Sequence, residues 1–224
     1  MEPTSHGINL SVVVPIWNDA VLLARLLPVL LQDWPAGSIC VVDGGSSDES
    51  VAVAVGRGVR VLEMSRPSRA AQMNAGAAAC EGEVILFLHA DTQLPPGARE
   101  RIITAVSAGA VGGAFARRFD HPSRILRATC RLADWRGRWF GVFLGDQAIF
   151  ATRSGFECAG GFPEQPCFED FEFSRRLSRV GRTVLVTPPA ISSGRRFAEQ
   201  GALRRTLSDC MLTVRYLVCG RTSD

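Results

Sequence analysis

Apolar runs alternate with helical stretches along the first half of the chain. The strand-like runs lie at residues 10–16, 38–42, 59–63 and 83–88, and the helical stretches at 21–31, 48–55 and 68–80. Residues 84–88 show no polar alternation, which is typical of a parallel strand buried on both faces. Repeated strand–helix units predict right-handed crossovers, and therefore an α/β fold with a mostly parallel central sheet and helices on both faces.

The second half continues without a linker, a repeat or a low-complexity segment. We predict a helix from 98 to about 107, strands at 111–115, 147–152 and 183–187, and helices at 169–180 and 203 to about 218. A chain of 224 residues with 46% hydrophobic residues can bury one substantial core. We expect one domain over 1–224, with a nucleotide-binding half at about 10–115 and a second half with a C-terminal helix at 116–224.

Acidic residues follow two of the predicted strands. Asp91 follows the run at 83–88, and at this edge of an open α/β sheet a hard carboxylate suits Mg²⁺ or Mn²⁺ carried by the phosphates of a substrate. A turn-capping role for Asp91 is the alternative. Asp43 precedes Gly44-Gly45, so a ligand can approach the backbone while the carboxylate accepts from a base or a ribose hydroxyl. Asp48 is explained as well by helix capping.

Two further features bear on the chemistry. The chain contains neither a GxxxxGK[ST] loop nor a GxGxxG after a strand, which argues against kinases and dehydrogenases. At 167–177 three acids, interleaved with phenylalanines, begin a predicted helix. They stabilise a helix N-terminus in any case. An apolar wall would also raise the proton affinity of Asp170, which makes it the candidate general base.

The charge and the cysteine content of the chain indicate which kinds of partner and cellular compartment to expect. The formal net charge is +3, all positive charge comes from arginine, and no basic stripe with interleaved aromatics is present, so we expect no nucleic-acid partner. The seven cysteines are scattered without a CxxC pair, which favours a reducing cytoplasm over a disulfide framework or zinc site. We expect neither a signal peptide nor a membrane span.

The motifs, taken in order, resemble a known family. VVVPIWND, VVDGGSSDES, RAAQMNAG, EVILFLHADT, GDQAIF and EDFEFSRRLSRVG resemble a GT-A fold glycosyltransferase of family two, from about residue 10 to near the C-terminus. FLHADT, GDQAIF, GGF, ED and SSGRRF further resemble a small soluble subgroup linked to radical-SAM and selenium-domain gene clusters, the arsenosugar biosynthesis-type glycosyltransferases. The resemblance implies a GT-A-type, Rossmann-like sandwich and a hexosyltransferase that uses a nucleoside-diphosphate sugar and a hydroxyl acceptor. It also implies that 116–224 is the acceptor-binding half.

The resemblance also implies roles for individual residues. Asp170 would be the catalytic base and Asp91 would bind the metal, Mg²⁺ or Mn²⁺. Six residues would bind the donor: Asp19, Asp43, Arg69, Asn74, Arg195 and Arg196. The chain departs from the family where the usual DxD has His89 in its first position. A structural histidine and an imidazole ligand are both open there.

Two other classes are weighed against a transferase. A nucleotidyltransferase would be expected to open with a Gly-rich, lysine-containing loop, where this chain has Pro15-Ile16-Trp17-Asn18-Asp19. A nucleotide-sugar-binding protein without transfer activity would not need a base at Asp170.

An arginine-rich stretch spans Arg117 to Arg138. Residues 116–140 contain seven arginines and two aspartates, together with the apolar residues Ile125, Leu126, Leu132, Trp135, Trp139 and Phe140. One interpretation is a solvated helix whose aromatics pack into the core. The other is a basic amphipathic segment beside the acceptor site that contacts an anionic or membrane-surface acceptor, which would make the protein peripheral at a membrane. The sequence does not indicate an oligomeric state.

Overall fold

The computed structural model describes residues 7–165 and 167–219. Its strands are β1 (Leu10–Ile16), β2 (Ile39–Asp43), β3 (Arg60–Glu63), β4 (Val84–Phe87), β5 (Thr92–Gln93), β6 (Gly112–Phe119), β7 (Ile149–Thr152) and β8 (Thr183–Ser192). Its α-helices are α1 (Ala20–Asp33), α2 (Ser50–Val55), α3 (Arg69–Ala79), α4 (Ala98–Ser107), α5 (Arg124–Phe140), α6 (Arg153–Cys158), α7 (Glu169–Val180), α8 (Arg195–Gln200) and α9 (Ala202–Cys219).

The described strands form one eight-stranded sheet in the order β3-β2-β1-β4-β7-β6-β8-β5. The neighbours β3, β2, β1 and β4 are all parallel, and β6 is parallel to β8. β7 is antiparallel to both β4 and β6, and β5 is antiparallel to β8. The predicted α/β fold with a mostly parallel central sheet is confirmed, and the second half adds the antiparallel pairs.

Each face of the sheet is covered by its own apolar cluster. Along β1 successive side chains point to opposite faces. Val12 and Val14 join a cluster with the leucines of α1 and with Ile102 of α4. Val13 joins a second cluster with Met73 of α3 and with the aromatics of α7 and of the segment before it. This division explains why β1 and β4 lack polar alternation, since both of their faces are buried.

Elements of the second half differ from prediction in their length. β8 extends to Ser192 and β6 to Phe119, because their outer ends pair with each other and β8 also pairs with β5. Pro188 and Pro189 interrupt the apolar pattern of β8, so the periodicity signal ends before the strand does. The short elements β5, α6 and α8 were not predicted. They are two or six residues long and carry little periodicity of their own.

The arginine-rich stretch forms most of α5, and its aromatics do not pack into the core. Trp135, Trp139 and Phe140 are exposed by 52%, 74% and 58%. The core-packing interpretation of these residues is therefore wrong, since the buried face of α5 is made instead by residues such as Leu126, Cys130 and Ala133. No helix in the described part of the chain is long and apolar enough to cross a membrane.

Helix α3 approaches the sheet closely at Gly76. A Cβ at this position would overlap Val13 Cγ1 and lie 3.0 Å from Val42 Cγ2, so only glycine fits between the helix and strands β1 and β2. The Ala-rich sequence of α3 therefore reflects a short distance between helix and sheet as well as helix propensity.

We predict that Gly76→Ala destabilises the fold by about 1–3 kcal/mol, because the added methyl group overpacks the face of the sheet. At an open helical glycine the same change would stabilise by about 1 kcal/mol. Urea denaturation measures the difference. Gly37→Ala is the control, since a Cβ there meets nothing within 4 Å. A Gly76→Ala protein as stable as the wild type would contradict the close packing of α3.

Candidate active site

The predicted acids lie at one edge of the sheet. Asp19 follows β1, Asp43 ends β2 and Asp91 follows β4. Because these three strands are mutually parallel and adjacent, their carboxyl ends meet at the same edge. The structure thus brings together the acids that the sequence spaces far apart.

Asp43 shapes the loop that follows it. Its side chain is buried, Oδ2 accepts from the backbone N–H groups of Gly45 and Ser46 at 2.9 Å each, and Oδ1 accepts from the Ser46 hydroxyl. Gly45 has φ +81°, a conformation that favours glycine. The carboxylate therefore holds the glycine loop in a fixed shape at the edge where a nucleoside is expected.

The loops after β1 and β2 are tied to each other. The Asn18 N–H donates to Ser46 Oγ at 2.8 Å, and Asn18 Oδ1 accepts from the Ser47 N–H at 2.8 Å. Asp48 accepts from the Ala20 N–H at 3.1 Å and from the Ser50 hydroxyl, and the latter bond lowers its pKa below the usual range. Asp48 therefore ties this loop to the start of α1, although the residue at the N-cap of α2 is Glu49 and not Asp48 as the capping interpretation had it. Asp19 accepts from the Trp17 N–H at 3.1 Å within the same double loop.

Gln72 is a site-shaping residue that the sequence analysis missed. Its side chain is buried on α3, and Nε2 donates to the carbonyls of Ile16 and Val42 at 2.8 Å each. It thereby joins the ends of β1 and β2 to the helix. The sequence does contain one signal for Gln72, which is a long amide side chain in a helix made mostly of small residues. A buried amide in such a helix is usually hydrogen-bonded to nearby backbone groups.

Arg69 and Asn74, also on α3, lie toward α7 and the segment before it. Arg69 Nη1 is 3.3 Å from Glu169 Oε1. Asn74 makes two hydrogen bonds to one residue, since its Nδ2 donates to the Phe162 carbonyl at 2.8 Å and its Oδ1 accepts from the Phe162 N–H at 2.9 Å. Asn74 thus holds the Gly-Gly-Phe turn, while more than half of the Arg69 side chain remains exposed.

Asp91 is connected to the SSGRRF segment through the sheet. The Ser193 N–H donates to the Asp91 carbonyl at 3.1 Å, and the hydroxyls of Thr92 and Ser192 are 3.1 Å apart. Ser192 Oγ also donates to the Asp146 carbonyl at 2.9 Å. Pairing of β5 with β8 therefore places the start of α8 beside Asp91.

The two arginines of that segment begin α8 instead of lying in a loop. Arg195 is exposed, and its N–H donates to Ser193 Oγ at 3.3 Å. The side chain of Arg196 lies outside the described residues. The structure therefore places the backbone of this predicted pair near the metal candidate.

Asp170 begins α7 and faces Gly145. It accepts from the Gly145 N–H and from the Phe171 N–H, the latter at 2.7 Å. Burial raises the pKa of Asp170 to about 6, and the neighbouring carboxylates of Glu169 and Asp146 act in the same direction, while the two N–H groups oppose it. Because a carboxylate with this pKa is largely ionised at neutral pH and still basic, its chemistry suits a general base.

His89 lies beside the same glycine. A Cβ at Gly145 would be 2.5 Å from His89 Nε2 and 3.2 Å from Asp170 Oδ2. The histidine in the first position of the DxD motif therefore approaches the candidate base, at a turn where an added methyl group would displace one of the two side chains. The spacing of the two motifs along the chain contains no signal for this proximity.

Charged residues from the arginine-rich stretch complete the base environment. Arg117, which is 8% exposed, pairs through Nη1 with Asp146 Oδ2 at 2.6 Å. Arg136 donates to the Val142 carbonyl at 3.1 Å and to Gln147 Oε1 at 3.3 Å. Burial lowers the pKa of Arg136, and nearby Arg117 adds to this effect.

The arginines between Arg117 and Arg138 therefore do not form one continuous basic surface, as the sequence analysis had treated them. Arg117 is buried, Arg136 is half-buried, and Arg118, with 42% of its side chain exposed, pairs with Asp134 at 2.8 Å. The remaining four are exposed: Arg124, Arg127, Arg131 and Arg138.

The donor set fits a metal that is held largely by a substrate. Among residues 7–165 and 167–219 no group of three or more His, Cys, Asp or Glu residues could hold an ion. Mg²⁺ and Mn²⁺ in phosphate-transfer sites commonly use one or two carboxylates, with substrate phosphates and water supplying the other ligands. Asp91 at the open edge, with the start of α8 beside it, is compatible with that arrangement.

The acids at the carboxyl edge of a mostly parallel sheet, together with the carboxylate in the first turn of α7, form a candidate ligand-binding site. The chain belongs to glycosyl transferase family 2, whose model matches residues 11–162, more than half of the chain. A protein from Mycobacterium bovis described as an uncharacterized glycosyltransferase is 29% identical over 105 residues, which cover 46% of this chain and 46% of that protein.

Solved structures share the GT-A fold. Residues 1–349 of S. aureus TarS in complex with UDP-GlcNAc superimpose with a TM-score of 0.66 at 15% identity, covering 83% of this chain and 58% of that solved chain. The mannosyltransferase PcManGT of Pyrobaculum calidifontis, in complex with GDP-Man and Mn²⁺, gives 0.64 at 22% identity, covering 86% and 58%. The chain thus spans less than two thirds of these proteins, and identities this low support the fold alone.

We predict that Gly145→Ala lowers the catalytic rate by about 10-fold or more. The added methyl group would displace His89 or Asp170, and a shift of about 1 Å at a reacting group is enough for losses of this size. Single-turnover assays measure the rate. Gly37→Ala again serves as the control, and a Gly145→Ala enzyme with the wild-type rate would show that this turn does not position the base.

Proposed function

We propose that this protein is an inverting, metal-assisted hexosyltransferase that moves a sugar from a nucleoside-diphosphate sugar to an acceptor hydroxyl. One observation carries the proposal. Asp170, with its pKa raised to about 6, lies beside a turn that is hydrogen-bonded through Ser192 to the segment carrying Asp91. A base and a diphosphate-binding acid in one connected site are what a single displacement at the anomeric carbon requires.

The donor would lie along the carboxyl edge of the parallel strands. Asp19 and Asp43 would contact the nucleoside, supported by the rigid double loop that contains them. Arg195 and Arg196 would bind the diphosphate next to Asp91. TarS and PcManGT contain UDP-GlcNAc and GDP-Man in their structures, which supports a nucleotide-sugar donor for a chain of the same fold.

Arg69 and Asn74 are assigned less direct parts in donor binding. Arg69 would reach the diphosphate with its exposed guanidinium from the first turn of α3. Asn74 would act through the Gly-Gly-Phe turn that it holds, because both ends of its amide are already hydrogen-bonded to Phe162.

Asp91 would hold Mg²⁺ or Mn²⁺ together with the diphosphate. The bound ion would neutralise charge that develops on the leaving group. PcManGT was solved with Mn²⁺, which supports a divalent metal in this fold.

In the chemical step, an Asp170 carboxylate oxygen takes the proton of the acceptor hydroxyl. The hydroxyl oxygen forms a bond to the anomeric carbon as the bond to the diphosphate oxygen breaks, and attack from the opposite side inverts the configuration. The Gly145 N–H holds the carboxylate in place during this step. Arginine side chains at the start of α8 would stabilise the departing diphosphate.

The proposal also concerns the domain organisation of the chain and its location in the cell. Both halves, about 10–115 and 116–224, would form one catalytic domain, supported by a sheet to which strands from each half contribute. We propose a cytoplasmic location, where nucleotide sugars are used, and membership of the arsenosugar biosynthesis-type subgroup on its resemblance alone.

A thermal-shift panel of UDP, GDP, CDP and dTDP with and without Mn²⁺ tests the donor class, because a ligand that binds only the native state raises the Tm.

We predict that Asp170→Asn abolishes turnover and preserves donor binding. The amide keeps the shape of the side chain and removes its basic oxygen, so the loss appears in kcat. In the wild type, kcat should rise with pH through about 6 and then level off, because only the ionised carboxylate accepts a proton. Donor hydrolysis measures the turnover of the variant and the pH profile of the wild type. Asp33→Asn is the matched control, since Asp33 is an exposed aspartate at the end of α1.

Substantial turnover by purified Asp170→Asn would show that another residue is the base. A wild type that binds nucleotide sugars and neither hydrolyses nor transfers them would instead support a binding protein. Pyrophosphate-dependent formation of a nucleoside triphosphate would support a nucleotidyltransferase.

We predict that Asp91→Asn removes the Mn²⁺-dependent part of donor affinity and leaves the fold intact. An amide oxygen is a poorer ligand than a carboxylate for a hard cation, and Asp91 lies outside both apolar clusters. Calorimetry with the diphosphate selected by the panel, with and without Mn²⁺, measures the change. Unchanged affinity in both conditions would place the metal elsewhere.

A further inference from the structure

Helix α5 has two apolar faces. At 100° per residue, Leu126, Cys130, Ala133 and Gly137 project within one arc of about 60°, and all four are buried. Ala128, Leu132, Trp135 and Trp139 project within an arc of similar width on the opposite side, and all four are exposed. We call this second set the outward face. A surface helix normally has polar residues there, so the outward face is not explained by folding.

Arginines flank the outward face on one side. Arg124, Arg127, Arg131 and Arg138 are exposed and project between the two apolar arcs. The acid within α5 is Asp134, which is buried and paired with Arg118, and it therefore offsets little of this surface charge. The exposed part of the helix combines large apolar side chains, two of them tryptophan, with a row of positive charge.

Helix α9 packs against α5 and adds exposed apolar residues of its own. Leu203, Leu207 and Met211 recur every four residues on α9 and are exposed, with Arg204 and Arg215 also exposed. The combination of apolar and arginine side chains therefore continues onto a second element.

We propose that the outward face of α5 lies in the interface of an anionic lipid bilayer. Tryptophan, with an apolar ring and a polar N–H, suits the headgroup level, and arginines pair with anionic lipid phosphates while their stems lie along apolar surface. Charge decides against a second copy of this chain, because an isologous contact would bring like rows of arginine together. The helix lies on the membrane and does not cross it.

The position of α5 relates this surface to the site. Arg136 on the same helix donates to Gln147 Oε1, next to the Gly145–Asp146 turn that contacts the candidate base. The membrane contact would therefore lie about one helix diameter, roughly 10 Å, from the base environment.

Flotation with lipid vesicles tests the proposal without relying on activity. Vesicles of phosphatidylcholine alone are compared with vesicles that also contain phosphatidylglycerol, at low and moderate salt. The wild type should float with the anionic vesicles, less at moderate salt, and its tryptophan emission should shift to shorter wavelength. Bound protein should fall about 10-fold or more in an Arg124→Gln, Arg127→Gln, Arg131→Gln variant and in a Trp135→Ala, Trp139→Ala variant.

The control variant carries Arg25→Gln, Arg57→Gln and Arg101→Gln. It removes the same three charges from other exposed positions, so it should float like the wild type. Thermal melting confirms that each variant is folded. No flotation of the wild type with anionic vesicles overturns the proposal, as does equal loss in the control, which would indicate attraction by net charge alone. A stable dimer that shields Trp135 and Trp139 would overturn it in favour of a second copy.

The proposal and the transferase function fail in different experiments. Membrane contact is judged by flotation, and donor binding by the thermal-shift panel. A protein that binds a nucleoside diphosphate and no vesicle retains the function and loses this inference.

Discussion

Parallel pairing of β1 with β2 and β4 is the constraint on which the rest of the candidate active site depends. It brings the carboxyl ends of three strands to one edge, although the acids that follow them lie at positions 19, 43 and 91. The pairing needs helices close on both faces, which explains Gly76 beneath α3 and Gln72 at the strand ends. Packing in the core and placement of the acids are thus consequences of the same geometry.

The second half of the chain contributes the candidate base Asp170, whose raised pKa lowers the stability of the folded state. A folded-state pKa of Asp170 near 6, against an ordinary value of 3.8, means that the unfolded chain loses this proton at lower pH than the folded one. The folded state is therefore destabilised by up to about 3 kcal/mol above pH 6, and this effect disappears below about pH 4. Two backbone N–H groups and the packed start of α7 limit the loss. Basicity at neutral pH is obtained at the expense of some stability.

The arginines of residues 117–138 fall into two groups, one near Asp170 and one on the exposed surface of α5. Arg117 and Arg136 project inward, where paired or hydrogen-bonded guanidinium groups surround the turn beside Asp170. The exposed arginines flank the outward face of α5. A residue count gives one basic segment, whereas the helical periodicity of α5 and its contact with β6 separate the two groups.

Much of this protein was determined by local sequence pattern. The apolar runs and helical spacing predicted β1, the helix at α7 and the order of strand and helix in the first half, because a buried parallel strand requires continuous apolar residues. Asp43 and Asp91 were predicted for the same reason, since they follow those runs, whereas the role of Asp19 was implied by the family resemblance. Tertiary structure alone decided the outer half of β8 and the contact of His89 and Asp170 with Gly145. These features depend on pairing and packing between segments distant in the chain, which leave no periodicity in either segment to detect.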